Sequence, residues 1–174
     1  MRKTLSSSTA ILATLVVSFA AGAAETALDR YVRKPDDSYR WELARTLEGE
    51  HEGRAYTAWV LELTSQTWRP GYEVDRPVWK HWLTITRPEG ADRRRALLYI
   101  GGGRNGEAPP GAVDERSARM AVGTGSVVAD LGQVPNQPLH FADSRGHARF
   151  EDDLIAYSRV KYMVTGDEEW LVRL

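Results

Sequence analysis

The segment Gly101-Gly102-Gly103-Arg104-Asn105-Gly106 holds the residue types best suited to chemistry in this chain, with four glycines in six positions. Glycine has no Cβ, so such a loop lets backbone N–H groups approach a ligand closely. It follows Ala96-Leu97-Leu98-Tyr99-Ile100, a short apolar run that reads as a strand buried on both faces. Ligand crevices in open α/β sheets lie just beyond the carboxyl ends of the strands. A glycine-rich turn there is a candidate for anion or oxyanion binding. The competing reading is a plain turn in which the glycines only supply positive φ.

Gly101, Gly103 and Gly106 also match the spacing G-x-G-x-x-G, and Asp130 ends the next strand as a ribose-binding acid would. The dinucleotide fingerprint, however, needs a helix that opens at the third glycine and points its N-terminus at the pyrophosphate. Pro109-Pro110-Gly111 intervenes here, and no Gly-Lys pair follows to make a phosphate loop. A dinucleotide enzyme is therefore the weaker reading, and no cofactor is expected. Asn136 and Gln137 lie in the loop from Gly132 to Leu139, at the end of a neighbouring strand, and can hold a polar group of a substrate from the same rim. Turn chemistry around Pro135 and Pro138 accounts for Asn136 about as well.

Other reactive side chains are less promising. No Gly-x-Ser-x-Gly occurs, and its nearest imitation, Gly123-Thr124-Gly125-Ser126, precedes a strand where a nucleophile elbow precedes a helix. His51, His81, His140 and His147 show no metal-ligand spacing and there is no cysteine, so no metal is expected. His81, on an aromatic strand, reads as a satisfied core residue. Glu151, Asp152 and Asp153 are adjacent and read as the solvated first turn of a helix, and Arg93-Arg94-Arg95 reads as a solvated strand edge. No catalytic residue is assigned in this chain.

The elements that must position the loop follow from periodicity. Tyr56 to Thr64 and Trp79 to Thr86 read as strands joined by a link too short for a crossover helix, hence antiparallel. Ala96 to Ile100, a helix from about Val113 ending near Gly123, and Ser126 to Leu131 make a strand, helix, strand unit with parallel strands. A helix is expected from Phe150 to Thr165, ended by Gly166, with a further one beginning at Asp167. Ala27 to Val32 reads as a short helix or turn. The expected fold is α/β, with about four strands: an antiparallel hairpin, then a parallel βαβ unit, flanked by helices.

At 174 residues, 42% hydrophobic and 27% charged with a net charge of −1, the composition is that of a soluble domain and gives no bias toward nucleic acid. Met1-Arg2-Lys3 followed by an apolar run from Ala10 to Ala24 has the layout of a secretory signal peptide, with cleavage near Ala23 or Ala24. The expectation is a periplasmic or secreted protein, with no membrane association after signal cleavage. Without cysteines the fold must hold by packing alone, and six tryptophans and seven tyrosines supply area for it. Residues 25–174 read as the N-terminal part of a longer domain, truncated at Leu174, because the last helix has barely begun there.

Four segments carry a resemblance: Leu61-Glu62-Leu63-Thr64-Ser65-Gln66-Thr67-Trp68, Asp75-Arg76-Pro77-Val78-Trp79-Lys80-His81-Trp82, Ile100 to Gly106, and Val134-Pro135-Asn136-Gln137-Pro138-Leu139. In this order they closely resemble the PhoPQ-activated pathogenicity-related proteins, over about Leu28 to Leu174. The resemblance implies an exported bacterial protein with an α/β-hydrolase-like fold, connected with virulence and resistance to host peptides. Family members are far longer, so a nucleophile serine, acid and histidine would lie beyond Leu174, and the chain alone is expected to be inactive. In hydrolases of this kind part of the oxyanion hole comes from the loop after the third strand, which makes Gly101, Gly102, Gly103, Arg104, Asn105 and Gly106 the candidate oxyanion or substrate-binding set, with Asn136 and Gln137. The substrate would be a small molecule or a peptide. A non-catalytic binding or signalling protein on the same scaffold is the alternative.

Overall fold

The computed structural model describes residues 24–171. The expected leader, Ala24 apart, and Leu174 lie outside the described residues. The architecture is α/β, a mixed five-stranded sheet with three helices. The strands are β1 (Arg40–His51), β2 (Arg54–Thr67), β3 (Val78–Pro88), β4 (Asp92–Ile100) and β5 (Ser126–Leu131), in spatial order β1-β2-β3-β5-β4. β1, β2 and β3 form an antiparallel meander, β3 pairs antiparallel with β5, and β4 pairs parallel with β5. The expected hairpin and parallel unit are both present.

The main sheet has five strands where about four are expected, and a separate two-stranded ladder pairs Leu139–His140 with Ala148–Arg149. The added strand, β1, is almost entirely exposed and interleaves Arg40, Glu42, Arg45, Glu48 and Glu50 with its apolar residues. It is held by backbone pairing with β2 from Arg40↔Thr64 to His51↔Arg54 rather than by a buried face. The apolar run of β4 reads as buried on both faces, whereas the strand order implied by the resemblance makes Ala96 to Ile100 an open apolar edge in this chain. The second expectation holds: β4 is the edge of the sheet, and Leu97, Leu98 and Ile100 are 45%, 55% and 57% exposed. An apolar run shows that a strand wants cover; it does not show that a neighbour supplies it.

The helices are α1 (Ala27–Arg33), α2 (Glu115–Thr124) and α3 (Glu151–Thr165). α2 starts two residues later than expected because Asp114 is its N-cap, its carboxylate accepting from the N–H groups of Arg116 and Ser117. It also runs past Gly123. The left-handed residue that ends it is Gly125, at φ 62°. α3 matches expectation and ends at Gly166, whereas Asp167 caps a single 3₁₀ turn, Glu168–Trp170.

α2 packs on β5 and β3, and on that side of the sheet Ala58, Val60, Thr86 and Val128 are buried. The main core lies beyond the end of the hairpin. Trp68, Val74, Trp79, Leu139, Phe141, Leu154 and Trp170 form one cluster, with Tyr157 and Tyr162 against it. Trp68 is its centre, edge-on to Trp79 at 5.7 Å and to Trp170 at 6.0 Å, with its indole N–H donated to the Glu169 carbonyl at 2.8 Å. Leu139 joins this cluster, so the loop before it, Gly132 to Pro138, is fixed at one end by β5 and at the other by the core.

Candidate functional site

The glycine loop leaves the carboxyl end of β4 and lies against the Gly132 to Pro138 loop that leaves β5. Over residues 101 to 104 the loop accepts from its neighbour, and at Asn105 it donates. The carbonyl of Gly101 accepts from Val134 N–H at 3.1 Å and that of Gly102 from Gln133 N–H at 2.9 Å. The Gly103 carbonyl accepts from Gln137 Nε2 at 2.9 Å and the Arg104 carbonyl from Gln133 Nε2 at 2.7 Å. Four successive carbonyls are thus turned toward the second loop and satisfied. The N–H of Gly101 continues the sheet to Leu131, Arg104 N–H meets Glu107 Oε1 at 3.2 Å, and Asn105 N–H meets the Gln137 carbonyl at 2.6 Å. No described acceptor takes the N–H groups of Gly102, Gly103 and Gly106. Gly103 at φ 133° and Gly106 at φ 81° hold conformations that need glycine, and a Cβ on Gly103 would come within 3.4 Å of Gln133.

The predicted residues divide by task. Asn105 is a tie, its Nδ2 donating to the Pro138 carbonyl at 2.8 Å. Arg104 lays its guanidinium over the Phe150 ring at 5.0 Å. Asn136 is 2% exposed; its amide reaches the Arg76 carbonyl at 3.5 Å and it helps line a cleft of about 300 Å³. Asn105, Gly106, Glu107, His81 and Trp82 share that cleft. Gln137, 3% exposed, is a clamp: besides Gly103, its Oε1 accepts from Glu151 N–H at 2.6 Å. That bond satisfies an N-terminal N–H of α3, whose N-cap Phe150 offers no side-chain acceptor.

Two residues of this region escape the sequence reading. Gln133 bonds Trp82 N–H and the Arg104 carbonyl through its side chain while its backbone sits at φ 62°. Its position directly after a strand is a weak signal. Glu151 is the other. Read as a solvated helix residue, it stands at φ 38°, and Oε1 lies 3.6 Å from where a Cβ on Gly102 would be. A carboxylate therefore sits beside Gly102.

Two features weigh on the dinucleotide reading. α2 begins only at Glu115, so no helix N-terminus follows Gly106 directly, and Asp130 is engaged by the Ser117 hydroxyl at 2.8 Å. His140 bonds Asp75 at 3.1 Å and His147 bonds Asp153 at 3.0 Å, both at the surface, while His51 Nε2 is buried without a hydrogen-bond partner. His81 is buried as expected, 4% exposed, and burial lowers its pKa below 6.5 against the opposing pull of the Gln133 and Gly132 carbonyls. Among the described residues no group of three or more His, Asp or Glu side chains is placed to hold a metal, and no helix is long and apolar enough to cross a membrane.

A family model described as PhoPQ-activated pathogenicity-related protein matches residues 28–174. The autocrine proliferation repressor protein A of Dictyostelium discoideum is 41% identical over 166 residues, which cover 94% of this chain and 32% of that protein. The chain thus spans about a third of the length of this curated relative. No solved structure matches.

Proposed function

Because the chain belongs to the PhoPQ-activated pathogenicity-related protein family, we propose that its glycine loop is the oxyanion-binding part of an α/β-hydrolase-like acyl-transfer site. The observation that carries this reading is the pairing of the loop's first four carbonyls while three of its N–H groups keep no described acceptor. With the carbonyls of residues 101 to 104 occupied, the N–H groups of Gly102, Gly103 and Gly106 are the donors left for a ligand. Strand order supports it. With β1 set aside, β2-β3-β5-β4 is the order first, second, fourth, third, and the loop follows the third. The nucleophile for this site would come from the part of a family-length protein that the chain does not span. The basic start and the apolar run to Ala24 support export to the periplasm or the medium. The family description supports a link to pathogenicity.

Titration of the ¹⁵N-labelled chain with methylphosphonate tests the loop. Amide shifts concentrated at Gly102, Gly103 and Gly106 are expected, and a titration that leaves these three unmoved overturns the reading. A second reading has its own support. The Dictyostelium relative is named as an autocrine repressor of proliferation, which favours a binding or signalling protein on a hydrolase scaffold. Under it the loop is a structural turn and the three amides stay silent.

A further inference from the structure

Away from the glycine loop, two of the resemblance segments meet in one hydrogen bond. Ser65 Oγ lies 2.8 Å from His81 Nε2, and His81 Nδ1 lies 3.1 Å from the Gln133 carbonyl. A carbonyl oxygen only accepts, so Nδ1 carries the ring proton and Nε2 is left to accept from the Ser65 hydroxyl. Burial lowers the ring's pKa and so favours its neutral form. This is the arrangement of an activated nucleophile, in which a serine donates to a base whose other nitrogen is fixed by a third group. Backbone geometry isolates the serine as well. Pairing between β2 and β3 jumps from Thr64↔Lys80 to Gln66↔Trp79, which leaves Ser65 as the extra residue of a bulge.

Ser65 also opens on space. It lines a cleft of about 500 Å³ whose walls hold Tyr31, Val32, Pro35 and Tyr39 with the charged Lys34, Asp36, Asp37 and Glu169, while His81 behind it lines the cleft beside the glycine loop. Aromatic and aliphatic walls with three carboxylates against one lysine suit a short acyl or aryl ester without negative charge. We propose that Ser65 is a nucleophile for such esters, with His81 as its general base and the Gln133 carbonyl as the group that orients the imidazole. In the acylation step Oγ bonds to the ester carbonyl carbon while its proton passes to Nε2. The bond to the alcohol breaks, and the leaving oxygen takes that proton. Water then repeats the sequence on the acyl-serine, releasing the acid and restoring the hydroxyl. This site stands independently of the glycine-loop reading.

The test is covalent labelling of the folded chain with a fluorophosphonate. There the Oγ–P bond forms, fluoride leaves and the proton goes to His81. Peptide mapping should place the adduct on Ser65; Ser65→Ala should abolish it, Ser126→Ala should leave it unchanged, and His81→Gln should slow it at least tenfold. Where His81→Gln does not fold, Ser65→Cys supplies the second measurement, since its thiol should alkylate with iodoacetamide at least tenfold faster than a free cysteine. Absence of an adduct at Ser65 on the folded wild-type chain, or labelling that persists unchanged in Ser65→Ala, overturns the proposal.

Discussion

At the scale of single residues, the tension in the glycine loop is between three N–H groups that favour an anion and the Glu151 carboxylate beside Gly102. Opposite and like charges a few ångströms apart at a protein surface are worth on the order of 1 kcal/mol after screening. Glu151→Gln should therefore tighten methylphosphonate binding roughly three- to tenfold by NMR titration; unchanged affinity would show that the carboxylate does not face the ligand. Gly103→Ala should cost about 1–3 kcal/mol in thermal denaturation, because a Cβ would be forced into φ 133° within 3.4 Å of Gln133. The loop itself was legible because clustered glycines are a local signature. Its partners were not. Gln137 and Glu151 are fourteen positions apart, as their hydrogen bond records, and no local pattern marks a clamp across that distance.

Among elements, those with a buried stripe or a capping residue were readable, and those held by backbone pairing alone were not. α3 was legible from its acidic first turn and Gly166. β1 has no buried stripe to read, since exposure on both sides lets charged residues interleave with Trp41, Leu43 and Leu47. The start of α3 depends on a residue of another loop. Gln137→Ala removes the acceptor from Glu151 N–H and the donor from the Gly103 carbonyl at once. A cost of about 1–3 kcal/mol is expected, read in chemical denaturation, and Gln137→Glu should recover part of it by restoring the acceptor. A loss confined to a few tenths would mean that water replaces the clamp.

For the whole molecule, charge and exposed surface set the behaviour. Hydrogen bonds from Tyr157 and Lys161 hold Asp143 below 3.8. Burial pushes Asp36 and Asp167 up, but hydrogen bonds from Ser38 and Thr67, and from Glu169 and Arg69, outweigh it and leave both lowered. Stability from these carboxylates is present above 3.8 and is lost as pH falls through their folded values. His81 acts in the same direction: kept neutral in the fold, it favours the unfolded state once pH drops below 6.5. The thermal midpoint should thus decline from about pH 6.5 downward and more steeply near 4; a midpoint that rises on acidification would contradict it. Apolar surface acts separately. The unpaired edge of β4, with Leu97, Leu98 and Ile100, and the open face formed by Trp41, Leu43, Trp59, Leu61, Leu63 and Leu83 should make the chain self-associate. Leu98→Lys should raise the monomer fraction in sedimentation, whereas a monodisperse wild-type monomer with a cooperative transition would refute the idea. Finally, because Gln137 bonds both the Gly103 carbonyl and the Glu151 amide, the loop and α3 share a common equilibrium. By thermodynamic reciprocity, any change that capture at the loop makes to the opening of the first turn of α3 is matched by an equal change that this opening makes to the capture.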